Sequence, residues 1–378
     1  MKILFISMPS IHVIRWVDNL KDSGYELYWF DVTDKGKLDA TNKIHQFTNW
    51  KERKIPPIKG EYFLSKRAPF LYEKVKPFLE ITENEFLEKI VNEIKPDVVH
   101  SFEMQNCSYQ IRKTMDKHPD LKWIYSCWGN DLYYYKNFKE HKSQIIKVLH
   151  RVNFIHTDCK RDFDIAKSLG FRGKYLGVIP GGTGYKLDEL QKFKIPVEQR
   201  KIILVKGYEH IFGRGLNIIK ALEEITEEIK DYEVVVFAAH SIVIEYIKQK
   251  KLPFNTLDRH GLKHYEVLEL MGKALVYIGN SISDGMSNTL LEAIVMGAFP
   301  IQSNPGNVSE EIINNNINGL IINNPESTLE IKNLISDALK DKKRLIEAEK
   351  INSDIAISRL DFKKNRHKVI AIYNSIIQ

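Results

Sequence analysis

SISDGMSNTLLEAIVMGAFPI, residues 281–301, decides the fold, because it reads as a loop, a helix and a buried strand in direct succession. The helix is expected from about Ser287 to Met296 and the strand from near Phe299. Just upstream, LVYIGN (275–280) reads as another apolar strand. Two short apolar runs joined by one helix are the signature of parallel strands with a right-handed crossover. Within the helix, Leu290, Leu291, Ile294 and Val295 are expected to face the sheet. Asn288, Thr289 and Glu292 share another side by their three- and four-residue spacing. Glu292 is therefore expected on a polar stripe that points into a cleft.

Outward from this stretch the same alternation fills the chain. KILFIS (2–7), ELYWFDV (26–32), DVVHSF (97–102), KWIYSC (122–127), FIHTD (154–158) and KYLGVIP (174–180) fit strands in the first half. Residues 84–94 have helical apolar spacing. GVIPGGTGYKLDELQKFKIPVEQR then breaks regular structure with four glycines and two prolines. Beyond it the pattern restarts: strands at 201–207, 232–239, 256–258, 275–280, 299–303 and 319–323, with helices at 215–229, 241–250, 264–272, 287–296 and 307–314. The expected fold class is α/β, with two Rossmann-like doubly wound domains facing a cleft. Their expected bounds are 1–190 and 191–360, and a last helix, 361–378, is expected to pack back on the first domain.

Composition limits the alternatives. The 378 residues exceed one ordinary core, and 43% apolar with 28% charged residues is a globular balance. Cys107, Cys127 and Cys159 are too few and scattered for a metal knuckle or a disulfide framework, so reduced, buried thiols of a cytosolic protein are expected. MKILFISMPS reads as a strand and not a signal peptide, and no apolar run reaches membrane-spanning length. Between Lys35 and Lys76 stand eleven Lys or Arg against four Asp or Glu, an excess equal to the whole net charge of +7. Aromatic residues interleave there: Phe47, Trp50, Tyr62, Phe63, Phe70 and Tyr72. The stretch reads either as a solvated basic face or as a surface for anionic lipid headgroups or an acidic acceptor. No nucleic-acid motif accompanies the charge.

In doubly wound sheets ligands bind beyond the carboxyl ends of the strands, so chemistry belongs in the strand-to-helix turns. In the opening stretch Gly285 allows the sharp exit, and Ser287 or Asn288 is placed to cap the helix. The amide groups from Gly285 through Met286 and Ser287 to Asn288 make an anion site with the helix dipole behind them. About 7 Å along the axis, Glu292 lies at a reach that suits a ribose diol when a diphosphate occupies the helix start. The turn VKGYEHIFGRG (205–215) supplies Lys206 and Arg214, cations suited to a diphosphate, flanked by Gly207, Gly213 and Gly215. Other candidates are His12 after the first strand, Glu103 after DVVHSF, Trp128 in SCWGND, and His240 and His260 in later turns.

Asp284-x7-Glu292, followed by Ala293 and by Met296-Gly297-Ala298-Phe299-Pro300, resembles the signature of retaining GT-B glycosyltransferases of family 4. NPGNVSEEIINNNINGLII (304–322), KPDVVHS (95–101), SCWGNDL (126–132) and VIPGGTG (178–184) fit the same family in order. The resemblance implies that the second domain binds a nucleoside-diphosphate sugar as substrate, with no metal and no cofactor. It implies Glu292 on the ribose, Asp284 on the transferred sugar, and Lys206 and Arg214 on the diphosphate, beside Gly207 and His260. An acceptor site with His12, Glu103 and Trp128 is expected in the first domain. Two departures stand out. Asp284 replaces the usual Glu, and Trp128 stands where many members have His, which leaves Asp131 or Trp128 for that role. The expected acceptor is a glycan or lipid-linked hydroxyl, the setting bacterial surface-polysaccharide or glycolipid assembly in the cytoplasm or at the inner membrane face. Rival readings are a sugar-nucleotide epimerase, a hinged sugar-binding protein and a dehydrogenase.

Overall fold

A computed structural model describes residues 1–38, 44–179 and 183–377. Residues 180–182 of the VIPGGTG segment and 39–43 of the basic stretch lie outside the described residues. The strands are β1 (Lys2–Ser7), β2 (Glu26–Asp31), β3 (His45–Phe47), β4 (Val98–Phe102), β5 (Lys122–Cys127), β6 (Phe154–Thr157) and β7 (Lys174–Val178) in the first half. They are followed by β8 (Ile202–Lys206), β9 (Glu233–Ala239), β10 (Asn255–Asp258), β11 (Ala274–Gly279), β12 (Phe299–Ser303) and β13 (Leu320–Ile322). One sheet has the order β3-β2-β1-β4-β5-β6-β7 and the other β10-β9-β8-β11-β12-β13.

The physical reason is visible in the strands themselves. Val98–Phe102 and Ala274–Gly279 are buried at every position, which suits strands covered on both faces and not alternating antiparallel ones. Pairing is parallel at β1–β2, β1–β4, β8–β9 and β8–β11. In each sheet the first strand of the unit therefore lies between neighbours reached in opposite directions. That is the switch point at which loops diverge and leave a crevice at the strand ends.

Contacts divide the chain into two compact units, Met1–Thr157 with Phe163–Gly177, and Asp158–Asp162 with Val178–Gln378. The division falls at Gly177/Val178 where residue 190 was expected, and residues 361–377 belong to the second unit. Asp158–Asp162 joins that unit because the Glu311 carboxylate accepts the backbone N–H of Lys160 and of Arg161, at 2.8 and 3.0 Å. The helix expected at 307–314 is instead two short 3-10 turns, Pro305–Asn307 and Ser309–Glu311. Gly306 and Asn307 adopt left-handed φ values of 62° and 63°, and the Asn304 side chain takes the Ser309 N–H at 2.9 Å, so no continuous helix forms. Strand β3 and the helices Glu61–Arg67 and Pro69–Leu79 have no counterpart in the sequence reading.

Candidate active site

At the switch point of the second sheet, the loops after β8 and β11 are zipped together. Arg214 N–H donates to Asn280 O at 3.0 Å and Ile282 N–H to Phe212 O at 2.9 Å. Two glycines let the loop after β8 pack tightly against β9 and against itself. A Cβ on Gly207 would come within 2.7 Å of Val236 Cγ1, and one on Gly213 within 2.2 Å of Tyr208 O. Ser303 anchors the far loop by accepting the Ser281 N–H at 2.8 Å.

Positive charge gathers around these loops, from the end of β8 and from the turn after β10. Lys206 lies over the Tyr208 ring at 5.3 Å and Arg259 over the same ring at 5.4 Å. His210 is pushed down to about 4, first by burial, then by repulsion from His240, Arg259, Lys206 and Arg214. Phe212 N–H donates to His210 Nδ1 at 3.0 Å, which leaves the ring proton on Nε2, a buried atom with no partner among the described residues. Arg214 is more committed than the sequence reading implies. Its Nε bonds Glu326 Oε1 at 2.5 Å and its Nη1 the carbonyls of His210 and Gly213, at 3.1 and 2.8 Å.

Asp284 is half-buried. Burial raises its pKa, while Lys206, the Gly285 N–H and Arg161 pull the other way. Lys206 at the end of β8 and Asp284 in the loop after β11, seventy-eight positions apart, are thus brought within electrostatic reach. Arg161 escaped the sequence reading altogether. Its Nη2 donates to Asp284 O at 2.8 Å and its Nη1 to Pro305 O at 2.6 Å. Burial works against the charge on Arg161, but the Asp162 carboxylate at 2.7 Å keeps its pKa raised. No local signal marks Arg161 as part of this site, since the two carbonyls it holds are more than a hundred residues away in the chain.

Gly285, Met286 and Ser287 are buried and lead into the helix Asn288–Met296. Ser287 occupies the N-cap position but makes no capping bond; its Oγ meets Thr289 Oγ1 at 3.1 Å. The expected side-chain cap is absent, and none of the first-turn amides is closed off by it. Glu292 corrects the polar-stripe expectation. It is only 3% exposed, because the whole segment from Leu290 to Met296 is buried. Its Oε1 is hydrogen-bonded to His264 Nε2 at 2.8 Å, and His264 remains about half exposed. His264 begins the helix His264–Lys273 and was not foreseen. His260 stands exposed in the turn after β10, its N–H bonded to Asp258 Oδ1 at 2.9 Å. It is Arg259, next in the chain, that reaches Tyr208.

The corresponding point of the first sheet is built differently. His12 follows β1 on the helix Ile11–Leu20, Glu103 follows β4, and Trp128 follows β5. The His12 and Trp128 rings lie 5.0 Å apart, and Phe102 packs 6.2 Å from Trp128. Glu103 sits at φ 65°, ψ 145°, a conformation that is costly for any side chain with a Cβ. Its carboxylate accepts the N–H groups of Gln105 and Asn106 at 2.9 and 2.6 Å. Burial, then the charge of Asp131, pushes Glu103 up to about 7. Asp131 is 2% exposed and raised by burial. It accepts Tyr125 OH at 2.6 Å, Cys127 Sγ at 3.0 Å and Trp128 N–H at 3.1 Å. Its oxygens are thus engaged by the end of β5 and by its own turn, where one of them holds the Trp128 amide.

Residues 188–354 match the family described as glycosyl transferases group 1, and residues 2–159 the family described as glycosyl transferase 4-like. Among solved structures, the Anabaena protein Alr3699/HepE in complex with UDP is 13% identical over 99% of this chain and all of its own, with a TM-score of 0.68. A glycosyltransferase from Rickettsia africae is 18% identical over 100% of this chain and 98% of its own, at TM-score 0.67. Sucrose-phosphate synthase from Thermosynechococcus elongatus is 12% identical over 100% and 99%, at TM-score 0.72. No curated protein matches the chain in sequence. The fold is that of the GT-B sugar-transferring enzymes. The two matches between them span most of the chain and support a family-4-like glycosyltransferase.

Proposed function

We propose that this glycosyltransferase moves a sugar from a nucleoside-diphosphate donor to a hydroxyl of a glycan or lipid-linked acceptor, with retention and without metal or cofactor. The observation that carries the reading is the convergence of Lys206, Arg214 and Arg259 on His210 at the second sheet's switch point. An anion belongs there. Lys206, the His210 Nε2–H and the amides from Gly285 to Asn288 would hold the diphosphate, with Arg214 fixed by Glu326 as a neighbouring charge. The Glu292–His264 pair would take the ribose hydroxyls, its imidazole orienting the carboxylate. Asp284 would meet a hydroxyl of the transferred sugar, and Gly207 would let the backbone approach.

The bond between the anomeric carbon and the diphosphate oxygen breaks, and its electron pair leaves with the diphosphate. Fixed cations and amides stabilise that departing charge. The acceptor oxygen bonds the anomeric carbon on the same face and yields its proton to the leaving phosphate. His12, Glu103 and Trp128 would line the acceptor side, with Trp128 offering a ring face to a sugar. The setting proposed is bacterial surface-polysaccharide or glycolipid assembly at the cytoplasmic membrane face. The UDP complex of the Anabaena protein supports trying uridine donors first.

A thermal-shift screen of nucleoside-diphosphate sugars tests the reading. A true donor at a hundred times its dissociation constant stabilises by about 2.7 kcal/mol. Stabilisation by a donor that Lys206→Ala abolishes is expected; the absence of any nucleotide response would sink the proposal.

A further inference from the structure

The helices Glu61–Arg67 and Pro69–Leu79 are turned inside out for a globular protein. The first buries none of its residues and the second only Leu79. Tyr62, Phe63, Phe70 and Phe78 are 76%, 67%, 73% and 75% exposed, and Leu71 and Val75 join them at 52% and 40%. Phe70, Leu71, Lys74, Val75 and Phe78 fall within one arc of about 140° on a helix of 3.6 residues per turn. The apolar stripe that ordinarily faces a core here faces outward.

The polar contacts, by contrast, point inward. Arg53 forks onto both oxygens of Glu61 at 2.8 and 2.7 Å, and Tyr72 OH donates to Glu61 Oε1 at 3.1 Å. Glu61, held at about 2 mainly by Arg53, contributes no net charge to the outer face. Cations stand among the exposed rings instead. Lys66 lies 5.8 Å over Tyr62 and Lys74 4.5 Å over Phe70, with Arg67 alongside, while Lys76 pairs with Glu73 at 3.9 Å off this arc.

We propose that this helical pair docks on a bilayer surface containing anionic lipid. A bilayer interface offers both partners that the face lacks, an apolar layer for the rings and negative headgroups for the lysines. A second copy of the chain would set the same cations against each other, so the charge favours lipid. The aromatic side chains would enter the acyl boundary while Lys66, Arg67 and Lys74 stay at headgroup level. Among the described residues no helix is long and apolar enough to cross a membrane, so the contact is peripheral. The inference stands apart from the transfer chemistry, since its readout is binding and not turnover.

The test is co-sedimentation of the full chain with phosphatidylcholine vesicles, with and without phosphatidylglycerol, at low and high salt. Binding is expected only with phosphatidylglycerol, and the triple change Phe63→Ser, Phe70→Ser, Phe78→Ser should weaken it at least about tenfold. Lys66→Glu with Lys74→Glu should weaken it comparably. Circular dichroism and melting temperature should stay unchanged in both, because none of these side chains is in the core. No binding to anionic vesicles, or binding indifferent to both sets of changes, overturns the proposal. So does lipid-free dimerisation in sedimentation velocity that the serine changes abolish.

Discussion

The two sheets share one topology at their switch points and put opposite chemistry there. The second sheet collects cations, a neutral imidazole and uncapped helix amides around Lys206 and Asp284. The first collects ring faces, His12 against Trp128, over two acids whose protons are held more tightly than usual. The same crossover geometry thus delivers an anion-attracting rim in one case and an aromatic, weakly charged rim in the other. A doubly wound sheet fixes where a ligand sits; the loop residues fix what sort of ligand it is.

The sharpest way to break this contrast is to remove Lys206. Lys206→Ala should lower sugar transfer by about 10²- to 10³-fold while the fold persists, as expected for loss of one fixed charge on a leaving group. A loss below tenfold in a steady-state assay would mean that the cation cluster is not where charge develops.

The first rim is tested by pH. Glu103 holds its proton to about 7 in the folded chain, above the ordinary 4.5 of an unfolded one. The folded state therefore binds more protons, and stability drains away as pH rises from about 4.5 to 7, by roughly 3 kcal/mol in all. Glu103→Gln should flatten that window in urea titrations at several pH values. An unchanged slope would place the burial argument in error.

A smaller effect separates positioning from reaction at Asp131. Asp131→Ala strands the Tyr125 hydroxyl and the Trp128 amide, at a cost of about 1–3 kcal/mol in denaturant unfolding. Transfer per folded molecule should fall only modestly. Collapse of activity with an unshifted unfolding midpoint would return Asp131 to the reacting groups. Smallest of all, His260→Ala in its exposed turn should change stability by no more than about 0.5 kcal/mol. Donor affinity after this change, read by calorimetry, should stay within severalfold; a large loss would extend the anion rim past Arg259.

Much of the architecture was legible in the chain because parallel strands buried on both faces must be apolar runs, and the twelve runs recognised each overlap a strand. The edge strand His45–Phe47 was not, since three residues with a polar centre carry no periodic signal. The outward-facing helices were missed for the opposite reason. Their apolar residues have helical spacing, but the sequence reading took the stretch as a basic, aromatic surface and assigned it no helix. Among the candidates, Lys206 and Arg214 stand in a strand-to-helix turn marked by glycines, whereas Asp284 and Glu292 also drew on the family resemblance. Arg161 and His264 could not be named, since each meets its partner through space alone.

What the sequence determined by itself is the order of strands and helices and the turns that carry chemistry, because both follow from local apolar periodicity and backbone freedom. Tertiary structure alone decided that Glu292 is buried and paired with His264, that Asp131 braces its own turn, and that Arg161 holds the Asp284 loop. Burial and charge pairing are set by which distant segments meet, and no local pattern encodes that meeting.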